Sequence, residues 1–162
     1  MTARRAARGG VRRGSTHAVS VSVEGVRTPV GTARLERAAR AVLVAERAPD
    51  ALVSVALVTR PRIAALNARH LGRRGPTDVI AFGLSAGARE PVVGDIYIAP
   101  AVARANALRL GVGVREELVR LVVHGVLHVL GYDHPEGEAR EKSPMWRRQE
   151  SLVRRAMRAA PA

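Results

Sequence analysis

Three of the chain's five histidines, His124, His128 and His134, fall in one short run, V-V-H-G-V-L-H-V-L-G-Y-D-H-P. Two imidazoles four residues apart on a helix sit about 6 Å apart along the axis and about 40° apart around it. Both rings then lean over one face and can share an ion at about 2 Å each. The next helical turn cannot supply a third ligand at a suitable angle. Gly131 permits a reversal of the chain, after which His134 can return to the same ion. A lone histidine on an apolar helix is more often a packed residue bonded to a carbonyl. Three buried together would need three separate polar partners, which favours a shared metal. Three neutral ligands leave a fourth position for water, as in catalytic zinc sites, where the pKa of that water falls toward neutrality. The reading is one Zn2+ per chain, with another first-row divalent metal also acceptable to three imidazoles.

The other polar residues offer no general base, so no catalytic group is named beyond the metal-bound water. Glu116 and Glu117 open the histidine helix, where its dipole alone favours acidic residues. Asp78 and Asp95 are placed at strand starts, as turn or capping groups. Asp133 either orients a ligand or shapes the turn, while His17 and His70 read as unrelated surface residues. Where metalloproteases of the H-E-x-x-H type carry their glutamate, this chain has Gly125. That glycine implies either close helix packing or room for a bulky substrate, and it serves peptide hydrolysis poorly.

The formal charge of +13 points to a polyanionic partner, nucleic acid above all. Lys142 is the only lysine, so the charge is carried by arginine. Aromatic residues are too few to build a platform for a run of bases, so recognition would rest on phosphates and shape. The absence of cysteine excludes a disulfide partner, thiolate ligands and a cysteine nucleophile, and fits a reducing compartment. The apolar stretch from Leu118 to Leu130 is broken by Arg120, His124 and His128, so no membrane partner is expected.

The elements that must position the histidines follow from periodicity. Val19, Val21 and Val23 alternate with polar residues as a half-buried strand. Leu35, Ala38, Ala39, Val42 and Leu43 form a helical stripe ending near Pro49. A second strand runs from Leu52 to Val58, a short helix from Pro61 to His70, and a basic loop from Gly72 to Pro76. Val79–Leu84 and Val92–Ala99 read as a hairpin with a Gly-containing connection. Helices then span Pro100 to Gly111, Val114 to Leu130 with Gly131 as left-handed cap, and Ser143 to Arg158 with Pro144 in the first turn. The order β-α-β-α-β-β-α-α-α predicts an α+β fold: a small mixed sheet of about four strands packed with about five helices, the metal site on a helix and the following turn. Residues 1–16, with five arginines and no acidic residue, are expected to be a basic, disordered tail. Residues 17–160 are expected to form a single metal-dependent catalytic domain.

The string H-G-V-L-H-V-L-G-Y-D-H resembles the signature of the YbeY family, metal-dependent endoribonucleases of ribosomal RNA maturation. Further elements agree in order: Leu66-Asn67, then Pro76-Thr77-Asp78-Val79 and Phe82, then Gly94-Asp95-Ile96, then Met145 and Glu150. The resemblance implies zinc held by His124, His128 and His134, a cytoplasmic location, and single-stranded or precursor ribosomal RNA as substrate in small-subunit biogenesis. It also implies an arginine after the Leu-Asn element, where this chain has Leu71. Arg69, Arg73 and Arg74 flank that position and are the candidate RNA contacts. Two alternatives stand beside the nuclease: a non-catalytic metal-containing ribosome assembly factor, and a zinc metalloprotease.

Overall fold

The computed structural model describes residues 14–84 and 90–159. Most of the expected tail and the connection between the third and fourth strands lie outside them. Thr16, the last residue assigned to the tail, is already tied to the fold: its N–H donates to Asp50 and its carbonyl accepts from Ala51.

The elements are β1 (His17–Val23), α1 (Thr32–Ala45), β2 (Ala51–Leu57), α2 (Arg60–Leu71), β3 (Val79–Gly83), β4 (Val92–Ile98), α3 (Pro100–Leu110), α4 (Val114–Val129) and α5 (Pro144–Arg158). A 3-10 segment over Gly137–Lys142, which carries no periodic signal in the sequence, precedes α5. The sheet has the order β1-β2-β4-β3, with β3 antiparallel to β4 and the other pairs parallel. The α+β architecture, the mixed four-stranded sheet and the helix stripes are as the sequence predicts.

Local chemistry explains most boundaries. Thr59 and Ser143 cap α2 and α5 by accepting the backbone N–H of Arg62 and Trp146. Gly72 and Gly111, both in the left-handed region, end α2 and α3. The first helix stops at Ala45 rather than near Pro49, because Arg47 takes a φ of 52° and turns the chain into β2.

Alternation along the strands divides the apolar residues between two faces. Val53, Val55 and Leu57 of β2 with Ile96 and Ile98 of β4 face α1, α4 and α5 in the main core. Ala56 and Ile80 face the opposite way, toward Ile63 and Leu66 of α2. The main core positions the histidine helix by a reciprocal interlock. A Cβ at Gly125 of α4 would stand 2.7 Å from Ile96 Cγ2, and a Cβ at Gly94 of β4 would collide with both methyl groups of Val129. Glycine on each element thus admits a branched residue of the other. The structure decides between the two expectations for Gly125 in favour of close packing.

Gly94→Ala is expected to destabilise the fold by about 1–3 kcal/mol, as overpacking does. The Val129 side chain is β-branched and stiff in a helix, so it cannot swing aside cheaply. Thermal unfolding checks this: in a chain of this size each kcal/mol shifts Tm by about 2–4 °C. A variant that melts with the parent would show that α4 can lift off β4 without cost.

Candidate metal centre

Helix α4 ends in a reversal that brings the third histidine back. The Gly131 N–H donates to the His128 carbonyl at 2.9 Å and the Tyr132 N–H to the Leu127 carbonyl at 3.0 Å, with Gly131 at a φ of 96°. This paired pattern is the Schellman motif, and the positive φ is one that glycine adopts without penalty. Farther along, the Tyr132 hydroxyl donates to Glu46 at 2.6 Å, and Glu46 also accepts from Arg148, so the turn is fastened to α1 and α5.

The result is a cluster of imidazoles from α4 and its following turn. Ring centroids lie 4.5 Å apart for His124 and His128, 5.2 Å for His124 and His134, and 5.0 Å for His128 and His134. One ring nitrogen of each lies within 4.8 Å of the other two. Each Nδ1 faces an oxygen acceptor: Gln149 Oε1 at 2.7 Å from His124, the Tyr132 carbonyl at 3.0 Å from His128, and the Pro135 carbonyl at 2.9 Å from His134. These oxygens have no proton to give, so each Nδ1 carries the hydrogen and each Nε2 keeps its lone pair. Three lone pairs gathered in this way form a donor set that fits a metal ion, held by outer hydrogen bonds of the usual kind. The site sits on a helix and the following turn, as the sequence predicts.

Burial holds two of the rings neutral. His124 is almost fully buried and its pKa falls to about 3, opposed by the Gln149 hydrogen bond and assisted by the nearby positive charge of Arg140. His128 is lowered too, mainly by burial. Both remain in the form that donates a lone pair.

The remaining candidates resolve individually. Asp133 accepts the His134 backbone N–H at 2.8 Å and so shapes the turn. Asp95 is not at a strand start but inside β4, bonded to Ser54 Oγ at 2.6 Å. Its neighbours Gly94 and Ile96 meet α4, so alternation turns its side chain to the sheet face away from the histidines. Asp78 stands just before β3, accepts the Val79 N–H at 2.8 Å and is also bonded by Asn106. Glu116 and Glu117 do more than open α4. With Glu150 they surround the Arg120 guanidinium at 2.6–2.9 Å, which gives the Glu150 of the family pattern an ion-pairing part in the helix interface. His17 and His70 lie outside the cluster, bonded to the Ala48 carbonyl and packed against Phe82 respectively.

The basic loop comes close to the histidine turn. Buried Asn67 donates to the Gly75 carbonyl at 2.9 Å and so folds the loop over itself, which accounts for the Leu-Asn element. Arg73 then reaches Glu136, two residues beyond His134, at 2.7 Å. Arg69 and Arg74 are exposed, and Leu71 ends α2 half-exposed. Sequence reasoning missed Gln149 and Arg140, both brought beside His124 by chain that folds back after the turn. No spacing rule links them to the histidines.

A family model described as Endoribonuclease YbeY matches residues 22–157. Among relatives named Endoribonuclease YbeY, that of Frankia alni is 38% identical over 148 residues, covering 84% of this chain and 81% of the relative. That of Thermobifida fusca is 41% identical over 117 residues, covering 67% and 76%, and that of Geobacillus kaustophilus 38% over 132 residues, covering 75% and 83%. The solution structure of TM1509 from Thermotoga maritima superposes with a TM-score of 0.57 at 28% identity, over 85% of this chain and 88% of that one. By its sequence, the chain belongs to the endoribonuclease YbeY family.

Proposed function

We propose that this protein is a metal-dependent endoribonuclease that prefers single strands and acts in ribosomal RNA maturation and small-subunit biogenesis. The observation that carries the reading is the convergence of three lone pairs, each fixed by an acceptor at the opposite nitrogen. His124, His128 and His134 are the metal ligands in this reading, and Zn2+ is the preferred ion. When bound, such an ion supplies Lewis acidity toward a phosphoryl oxygen and lowers the pKa of water. The chain's own residues hold the tautomers, keep the ligands neutral by burial, and present positive charge to the RNA backbone. Arg69, Arg73 and Arg74 are the substrate contacts beside the turn, Arg73 exchanging its exposed partner Glu136 for a phosphate. Family membership supports ribosomal RNA and the small subunit as partners and the cytoplasm as location. No described helix is long and apolar enough to cross a membrane.

A second reading, the non-catalytic assembly factor, draws on one observation: among the described residues no carboxylate joins the histidine cluster to act as acid or base. The same observation and Gly125 weigh against a metalloprotease. The test is slow cleavage of structured ribosomal RNA precursors that stops on adding chelator, measured beside His128→Ala protein prepared identically. Cleavage persisting in that variant would leave only the assembly factor. Proteolysis of an unfolded protein, lost in the same variant, would favour the protease.

A further inference from the structure

A cleft of about 320 Å³ opens from His124 between α3, α4 and the chain from Gly137 to Gln149. Its charges are used unequally. Arg120 is saturated by Glu116, Glu117 and Glu150. The Asp78 carboxylate accepts from Thr77, Val79 and Asn106. Arg109 donates to Asn106 Oδ1, a neutral acceptor, and Glu141 at the rim is exposed.

Arg140 differs from all of these. Its guanidinium carbon sits 5.8 Å from the centre of the Trp146 ring, and its Nε is buried with no hydrogen-bond partner. No carboxylate of the described residues pairs with it. Its charge reaches the imidazoles of His124 and His128 and disfavours their protonation. Arg34 also has an unpartnered Nε, but it lies between α1 and α5 with its NH2 toward Met157 Sδ, outside this cleft. A buried charged donor without an acceptor is costly, while an indole face beneath it offsets only part of that cost. A cation kept so beside a metal-type cluster is suited to an anion that arrives from solvent. A phosphodiester presents the acceptor oxygens that a guanidinium engages in pairs.

We propose that Arg140, seated on Trp146, is the phosphate clamp of this cleft, gripping one phosphodiester of the RNA strand beside the histidine cluster. The proposal rests on the RNA reading above and adds a specific contact to it. It also names the cleft between α3 and the 3-10 segment as the path of the strand.

The test is binding of a short single-stranded RNA to the full chain with metal removed by chelator, so that the strand is not cut, across a salt series. Arg140→Gln is expected to bind about tenfold more weakly and to lose about 0.7 from the log–log salt slope, one phosphate contact. Arg140→Lys restores the slope but only part of the affinity, because an ammonium is a point charge. Strands carrying one neutral methylphosphonate at successive linkages locate the contact. The parent and Arg147→Gln should lose affinity at one linkage to which Arg140→Gln is indifferent. Because among the described residues the clamp guanidinium has only the Trp146 ring as partner and no hydrogen bond or ion pair, Arg140→Gln should melt close to the parent.

An unchanged salt slope, or the parent's sensitivity at every linkage, overturns the clamp while leaving RNA binding intact. A large drop in melting temperature with affinity lost uniformly assigns Arg140 to the fold and overturns it as well. Failure of the parent itself to bind RNA takes down the RNA reading and the clamp together.

Discussion

His128→Ala protein should emerge from purification without metal, where the parent carries about one ion per chain under three-ligand logic. His124→Ala and His134→Ala should lose the ion as well, while His70→Ala, on the opposite sheet face against Phe82, should keep it. The geometry makes each loss severe. Two imidazoles cannot enclose the ion, and no described carboxylate stands by to replace a third. Elemental analysis of the four variants is the measurement, and full occupancy in any of the first three removes that residue from the site. Acid should release the ion only below the ordinary imidazole value of 6.5, since burial lowers His124 to about 3 and lowers His128 too. The same shift acts on the metal-free fold with a definite sign. As pH falls below 6.5 the unfolded chain takes up protons that the folded His124 refuses, so stability declines toward acid.

Arg120→Ala should cost about 2–3 kcal/mol, below the penalty for breaking a fully buried ion pair, because Glu117 alone of the cluster is fully buried while Glu116 meets solvent. Arg120 is only 13% exposed and links Glu116 and Glu117 of α4 to Glu150 of α5. Glu117 is the group left in difficulty. Burial already raises its pKa even with the Arg120 hydrogen bond and charge pulling it down. Without Arg120 it must ionise unpaired inside the protein or take up a proton. Glu150 now sits below its ordinary value: burial opposes this, but hydrogen bonds from Arg120 and Gln149 prevail, and most of that support would go. The variant should therefore regain stability as pH falls through the raised pKa of Glu117, against the acid trend of the parent. Denaturant titrations at neutral and mildly acidic pH give the comparison, and parallel losses at both would mean that Glu117 is not the residue harmed.

The histidine cluster was legible because the chemistry that brings it together is local. Helical spacing aligns His124 with His128, and the left-handed demand on Gly131 announces the reversal before His134. The stripe of α1, the stop of α3 at Gly111 and the left-handed turn at Gly131 are local for the same reason. The sheet order was not legible, because β1-β2-β4-β3 depends on which strands meet after crossovers. Asp95 shows how a small boundary error changes a residue's meaning: placed at a strand start it is a turn former, while inside β4 it belongs to the face away from the site. Gln149 and Arg140 escaped notice because the chain after the turn carries no period that reports its return to α4. Gly125 was legible as a choice between packing and space, and Ile96 decided it.

The interlock of α4 with β4 also governs the order in which this sequence could drift. Gly94 and Val129 share a single volume, as do Gly125 and Ile96, so neither member of a pair is a free position. A lineage could enlarge residue 94 only after residue 129 had shrunk, and the intermediate would carry a void of about a methyl group or two at some cost in stability. Paired replacements of that kind are rare events. The helix that bears two of the three histidines is thus held at a fixed height above the sheet, while the surrounding surface remains open to substitution.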